Sequence, residues 1–349
     1  MDKGIIFIIG LFCILQCTNV ESSKKDSSFE FPDQLSDWNL YEGELSALIP
    51  SEDLFRYELN SALFSDYAEK ARFIRLPEGE KMTSEQSGRI LFPDGSIIVK
   101  NFYYPTDARE PDGDRALMET RLLVKNDQEW EVGTYIWNEA QKDATLEILG
   151  GEKDAVWIDT HGRTRLISYQ VPDNNDCKSC HMKAGEVKPI GPKLANMDLE
   201  INYGGAYVNQ IEYLSNKGLL DLTKVNAAHE KMVDWQNPEV SLNARAMAYL
   251  DINCTHCHSE DGSASNTGLF LHYNQTDPFR QGIMKTPVSA AQGSGGYDYN
   301  IVPGHPERSI LLYRMNSVAA GVAMPEEGRT LVHEEGVALI EEWINRMNY

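Results

Sequence analysis

Two copies of one short motif constrain this 349-residue chain more than any other feature. Residues 177–181 read Cys-Lys-Ser-Cys-His, and residues 254–258 read Cys-Thr-His-Cys-His. Residues three apart in a helical turn share a face, so the two thiols of each motif can reach the two vinyl groups of one porphyrin, and the next imidazole can reach its iron. The sequence therefore predicts two covalently attached haem c groups. The predicted thioether and iron ligands are Cys177, Cys180 and His181 for the first haem, and Cys254, Cys257 and His258 for the second.

Other uses of these cysteines are weaker alternatives. The chain has six cysteines, and those at positions 13 and 17 belong to the N-terminal signal region. Paired cysteines in an exported protein would by default predict disulfides, but the histidine after each pair favours haem. A zinc site requires four thiolates close together, and 77 residues separate Cys177 from Cys254, more than in zinc ribbons. A thioredoxin-like pair requires a βαβ context, which neither motif has.

The second haem has a candidate distal ligand. Met324 lies 66 residues after His258, in the sequence Val-Ala-Met-Pro of residues 322–325, between the last two predicted helices. A thioether on a proline-stiffened loop, opposite a helix-borne histidine, predicts Met/His ligation and a raised reduction potential. The alternatives are Met284 and Met315, of which Met315 lies in a predicted helix whose apolar face packs inward.

The distal ligand of the first haem is left open by the sequence. Residues 189–192, Pro-Ile-Gly-Pro, are typical of the segment after a cytochrome c haem site, where a proline carbonyl supports the proximal histidine. No second Met-Pro pair follows, and Met182 is too near in sequence to reach the other face of the haem. Met197, His229, Met232 or a vacant sixth position remain.

Residues 1–17 have the pattern of a bacterial export signal. Lys3 precedes a short apolar stretch over residues 4–15, which is too short for a comfortable bilayer span, and Cys17 closes it. The segment resembles a lipoprotein signal in which Cys17 is lipidated, although Gln16 is bulkier than the usual small residue, and simple cleavage is the alternative. Residues 18–37 form a predicted flexible tether. We expect an exported protein that is periplasmic, or lipid-anchored to a bacterial membrane facing the periplasm or the cell surface.

The charge limits the partners. The formal net charge is −21 at pH 7, which argues against nucleic acid and against anionic membrane surfaces as partners. No apolar run after the signal approaches the roughly 20 residues of a spanning helix, so membrane contact is expected only through the lipid anchor. The acidic surface favours basic redox proteins as electron donor and acceptor, or simply keeps an exported protein soluble.

The fold class predicted from the sequence pattern is α+β and multidomain: an N-terminal antiparallel β-rich domain, then mostly α-helical cytochrome domains. A short helix is predicted over residues 54–70. Ser241 is a predicted N-cap for a helix reaching Cys254, with further helices over residues 307–317 and 333–347. Runs rich in β-branched and aromatic residues, separated by turn signals, predict strands over residues 96–104, 120–125, 130–137, 144–149, 155–159 and 164–171. The predicted domains are residues 38–171 (β-rich), 172–238 (first haem) and 239–349 (second haem).

Two resemblances support this division. Residues 241–349 resemble a class I cytochrome c domain, with a helix entering the haem motif and a Met-Pro loop before a C-terminal helix. The chain from about residue 40 onward resembles a family of exported bacterial dihaem c-type cytochromes whose physiological role is not established. This resemblance implies that the β-rich region and the haems form one unit, and it implies no substrate. It is carried by residues 63–70, 92–96, 100–105, 120–123, 189–193, 249–254 and 301–304.

Three functions compete at this point. The first is electron transfer between an exported donor and a terminal acceptor, because an iron with two protein ligands shuttles electrons and binds no substrate. The second is a peroxidase-like oxidoreductase that uses an open first haem. The third is a ligand-sensing or docking module that reports through the haems. The sequence does not decide whether the protein is an enzyme, and an electron carrier is favoured over a catalyst.

Overall fold

The computed structural model describes Met1 and residues 29–110, 112–223 and 230–348. The predicted signal, the lipidation site Cys17 and most of the predicted tether lie outside the described residues, as does His229. Residues Phe31–Tyr349 form one compact unit. None of the helices in the described parts is long and apolar enough to cross a membrane.

The N-terminal region is rich in β-strands, as predicted, and helices follow it. The strands are β1 Tyr41–Glu42, β2 Ile49–Pro50, β3 Leu54–Arg56, β4 Glu69–Arg75, β5 Thr83–Ser84, β6 Ile90–Leu91, β7 Ile97–Pro105, β8 Arg115–Asn126, β9 Glu129–Trp137, β10 Ala144–Leu146, β11 Gly151–Ile158, β12 Thr164–Val171, β13 Met182–Lys183, β14 Glu186–Val187, β15 Glu200–Tyr203 and β16 Ala206–Asn209. The α-helices are α1 Asn174–His181, α2 Leu194–Met197, α3 Gln210–Asn216, α4 Leu242–Cys254, α5 Pro278–Gln281, α6 Ile310–Met315 and α7 Glu334–Asn345. Single 3-10 turns lie at Leu35–Trp38, Leu45–Ala47, Ser265–Thr267, Ala291–Ser294 and Pro306–Arg308.

A six-stranded antiparallel sheet is the centre of the β-rich region. Its strand order is β10-β9-β8-β7-β4-β3, and a register shift interrupts the β7–β8 pair between Phe102 and Tyr103. The hairpin β11–β12 packs on this sheet, because Trp157 and Tyr169 share a buried cluster with Phe102 and Tyr104. All six strand segments predicted from the sequence coincide with strands, so the β-branched and aromatic pattern located them correctly.

The predicted helix over residues 54–70 is wrong. This segment contains β3, a series of turns and the first residues of β4. Its backbone groups bond to distant parts of the chain: Asn60 N–H donates to the Asn196 carbonyl at 2.8 Å, and Phe64 N–H donates to Asn253 Oδ1 at 2.9 Å. Because tertiary partners satisfy the backbone, no local helix is needed.

The C-terminal part is a helical core. Ser241 caps α4 by accepting a hydrogen bond from Ala244 N–H at 3.3 Å, as predicted. The helices α4, α6 and α7 share one buried cluster, and a Cβ at Gly336 of α7 would lie 2.3 Å from Tyr249 Oη, so glycine permits their close approach. The predicted helix over residues 307–317 is divided in two at Ser309, whose hydroxyl accepts from Val302 N–H.

Candidate functional site

The first motif lies on α1, which begins with a complete capping box. The Asp173 carboxylate accepts hydrogen bonds from Asn175 N–H (2.7 Å) and Asp176 N–H (2.9 Å), and the Asp176 carboxylate accepts from Asp173 N–H. The helix ends at His181, so both cysteines and the histidine of the motif occupy its last two turns. Burial raises the pKa of the Cys180 thiol to about 11, which keeps it protonated at neutral pH.

His181 has the orientation of a metal-ligating histidine. Its Nδ1 lies 2.7 Å from the Lys188 carbonyl oxygen, and because a carbonyl only accepts, Nδ1 carries the proton and Nε2 is the free nitrogen. Burial lowers the pKa of His181 to about 3, so the ring is neutral. The sequence predicted that a proline carbonyl from residues 189–192 would accept a hydrogen bond from this histidine. The carbonyl that does so belongs to Lys188, one residue before Pro189.

The second motif follows from the end of α4, and its histidine is oriented in a similar way. His258 N–H donates to the Cys254 carbonyl at 2.8 Å, which continues the helical turn through the motif. His258 Nδ1 lies 3.3 Å from Thr267 Oγ1, and the Thr267 hydroxyl itself donates to the Ala264 carbonyl at 2.7 Å. The Thr267 oxygen is therefore the acceptor and His258 Nε2 is free. Burial and the nearby Arg314 lower the pKa of His258 to about 4.

Met324 lies with His258 in one cavity, together with Cys254 and apolar side chains from Leu271, Ile301 and Ile310. Met284 and Met315, the alternative ligands, do not line this cavity in the described residues. Met315 instead lies in the buried helical core. Of the three methionines considered from the sequence, Met324 is thus the one that shares this cavity with His258.

Two arginines hold the Met324 loop. Arg314 Nε donates to the Val322 carbonyl at 2.9 Å, and Met324 N–H donates to the Arg314 carbonyl at 3.2 Å. Arg329 Nη2 donates to the carbonyls of Met324 (3.0 Å) and Ser317 (2.8 Å). These bonds attach the loop to the end of α6 and to Ser317, which follows this helix. Neither arginine was identified as a site residue from the sequence.

A second cavity adjoins the first motif. It is lined by Cys177, Cys180 and His181, by Cys254 and His256 of the second motif, and by side chains from distant segments: Phe64, Lys100, Arg121, Tyr249, Met315, Met324, Arg329 and His333. Of the distal ligands considered for the first haem, Met197 and Met232 are completely buried in other clusters and do not line this cavity.

The wall of this cavity formed by β7 and β8 carries the basic side chains of Lys100 and Arg121. Arg121 is paired with the fully buried Glu119. Lys100 forms no ion pair among the described residues and lies 4.8 Å from the centre of the Phe102 ring. Burial, and then the charges of Arg72 and Arg121, lower the pKa of Lys100 well below its usual value. An anionic group such as a haem propionate would relieve this repulsion. The sequence carries no local signal for this wall, because its residues lie on strands remote from both motifs.

The two motifs are adjacent in space. Ala184 N–H donates to the Asp261 carbonyl at 3.0 Å, and Lys183 Nζ donates to Ser259 Oγ at 3.0 Å, which joins the segments that follow each motif. A further cavity is lined by Cys180 from the first motif and Cys257 from the second. In the sequence, 77 residues separate Cys177 from Cys254, which argued against a zinc site. The fold nevertheless brings the two cysteine pairs close together in space. All four motif cysteines are free thiols, and the described residues contain no group of three or more His, Cys, Asp or Glu placed to hold a metal ion.

No family model, curated protein or solved structure matches this chain. The functional conclusion rests on the site residues themselves.

Proposed function

We propose that this protein is an exported dihaem c-type cytochrome that transfers single electrons between periplasmic redox partners. The observation that carries the proposal is the arrangement of the two motif histidines. His181 is half-buried and His258 is buried, both rings are neutral, and each Nδ1 has a hydrogen-bond partner, whereas neither Nε2 has one among the described residues. This is the tautomer and orientation in which histidine ligates a haem iron. When bound, each haem supplies a reversible one-electron couple.

In this proposal the chain's own residues have distinct tasks. Cys177 and Cys180 attach the first haem, and Cys254 and Cys257 attach the second. The thioether of Met324 completes the ligands of the second iron and raises its potential. The charged wall of Lys100 and Arg121 receives anionic haem groups.

The adjacency of the motifs supports a relay role. The segments after the motifs are hydrogen-bonded to one another, and Cys180 and Cys257 line one cavity. Haems attached at these positions would be close neighbours, as transfer of an electron from one to the other requires. The acidic balance of the chain would favour basic redox partners.

The proposal extends to the architecture and the cell. Residues 239–349 are a class I cytochrome c domain, residues 172–238 hold the first haem beside the β-rich domain, and the chain belongs with the exported dihaem cytochromes that it resembles. In this proposal the chain is exported, and Cys17 carries the lipid anchor.

The test is haem stoichiometry after expression with a cytochrome c maturation system. The wild type should carry two haems per chain by the pyridine haemochrome assay, and both should survive denaturing electrophoresis. Replacing both cysteines of either motif with serine should leave one haem. The control Cys17→Ser should keep both haems and lose only membrane association. A wild-type chain that carries no covalent haem would contradict the proposal.

The Met324 assignment has its own spectroscopic test. Met324→Ala should abolish the near-infrared methionine–iron band and lower the potential of the second haem, whereas the control Met284→Ala should leave both unchanged. A band that persists in Met324→Ala would exclude this ligand.

A further inference from the structure

His333 lies beside the first motif although it is 152 residues away from His181 in the sequence. It is the N-cap residue of α7, and its side chain is only 12% exposed. The ring lines the same cavity as Cys177, Cys180 and His181. Nothing in the local sequence distinguishes His333 from an ordinary residue at the start of a helix.

The ring of His333 is held in one orientation by aromatic neighbours. It stacks on Phe64 with the ring centres 4.1 Å apart and the planes inclined by 10°. Trp235 meets it edge-on at 5.2 Å. The Tyr249 hydroxyl lies 3.0 Å from Nδ1. A hydrogen-bonded Nδ1 in a packed ring is the arrangement that orients a ligating imidazole.

The other ring nitrogen, Nε2, has no hydrogen-bond partner among the residues that the structure describes. The nearest carboxylate oxygen to Nε2 is Glu335 Oε2 at 3.7 Å, which is too long for a hydrogen bond, and this oxygen already accepts from the Tyr67 hydroxyl at 2.9 Å. Burial, with the charges of Lys70 and Arg329, lowers the pKa of His333 to about 3, so the ring is neutral. A neutral, oriented imidazole with a free nitrogen is a competent iron ligand.

His256 is the main rival among the residues that line the cavity. Its Nδ1 is buried without a hydrogen-bond partner, and burial lowers the pKa of the ring to about 4. It lies between the two cysteines of the second motif, so the thioether bonds of the second haem would fix its backbone. No hydrogen bond orients its ring, in contrast to that of His333. Met324 also lines this cavity, but it lines the cavity that contains His258 as well.

We propose that His333 is the distal iron ligand of the haem attached at the first motif, which it would hold opposite His181. The inference rests on the proposed function, since it requires a haem at that motif. It makes the two haems chemically different: the first has two histidine ligands, and the second has histidine and methionine. Because methionine ligation raises the potential, a haem held by His181 and His333 would have a lower potential than one held by His258 and Met324. A first iron with two strong ligands also leaves no position for peroxide.

The test compares His333→Ala with His256→Ala and with the surface control His305→Ala, whose side chain is 53% exposed. Haem content is measured first. Electron paramagnetic resonance of the oxidised protein and CO binding to the reduced protein then report on each iron. In the wild type we expect two low-spin haems and no CO binding. His333→Ala should retain two haems, gain a high-spin signal and bind one CO per chain, with the methionine–iron band of the second haem unchanged.

Added imidazole should restore the low-spin signal of His333→Ala, which shows that the fold is intact. Should His333→Ala not accumulate, Tyr249→Phe, which removes only the hydrogen bond to Nδ1, should shift the potential of the first haem and leave the second unchanged. A low-spin first haem in His333→Ala that binds no CO would overturn the inference, as would a CO-binding haem that appears only in His256→Ala. A wild type with one haem or none would refute the proposed function instead.

Discussion

Arg329 offers the sharpest test of how the chain holds Met324. Its guanidinium donates to four backbone carbonyls: those of Arg314 (3.3 Å), Ser317 (2.8 Å), Met324 (3.0 Å) and Leu331 (2.9 Å). Arg329→Met keeps most of the side-chain volume and removes all four hydrogen bonds. At about 1 kcal/mol for each bond, and with water replacing part of the loss, the unfolding free energy should fall by about 2–4 kcal/mol.

Part of this loss acts directly on the methionine loop. The bonds to Met324 and Ser317 join the loop to its surroundings, so about 1–2 kcal/mol of the change should appear as a weaker Met324–iron bond. Since about 1.4 kcal/mol is a factor of ten, imidazole should displace Met324 at roughly 5–30-fold lower concentration. The assay is an imidazole titration followed at the near-infrared methionine–iron band, with denaturant unfolding measured in parallel.

The matched control is Arg346→Met. Arg346 pairs only with Glu342 on the exposed face of α7, and its side chain is 70% exposed. It should change neither the imidazole titration nor the unfolding free energy by more than about 0.5 kcal/mol. An Arg329→Met protein with the wild-type imidazole affinity would refute the reasoning, and so would an equal effect in the control.

Three further changes test other parts of the structure. Gly336→Ala places a Cβ 2.3 Å from Tyr249 Oη, so α7 must move away from α4. The midpoint of denaturant unfolding should fall by the equivalent of about 1–3 kcal/mol. An unchanged midpoint would contradict the close approach of the two helices. Asp173→Ala removes the capping box of α1, which should cost about 1 kcal/mol of helix stability. It should also lower the haem content of the first motif, which is measured in a background where serine replaces both cysteines of the second motif. The third concerns Asp261: burial would raise its pKa, but hydrogen bonds and charges from Ser259 and Lys183 outweigh burial and lower it to about 2. The Asp261 carboxylate therefore contributes fully to the stability of the fold above about pH 4, and this contribution is lost as the pH falls toward 2. In an acid titration of stability, Asp261→Asn should lack the loss that the wild type shows between these pH values, and a variant that loses stability as the wild type does would contradict the prediction.

Much of the β-rich region could be predicted, because the signals are local. β-Branched and aromatic runs between turn residues located β7 to β12, but they missed β3 and β4 of the same sheet and gave no information on which strands pair. The segment of residues 54–70 shows the limit: its apolar residues suggested a helix, yet Asn196 and Asn253, far along the chain, satisfy its backbone. No pattern within that segment reports those contacts.

The candidate site divides in the same way. The sequence by itself determined the two attachment motifs and the Met-Pro loop, because each consists of neighbouring residues whose chemistry depends on one helical turn or one bend. Only the tertiary structure placed the two motifs side by side, and only it brought His333, Lys100 and Arg121 to the cavity that adjoins the first motif. These residues reach the site through sheet pairing and helix packing between remote segments. The physical reason is that such contacts depend on which surfaces are buried together, and a local pattern does not contain that information.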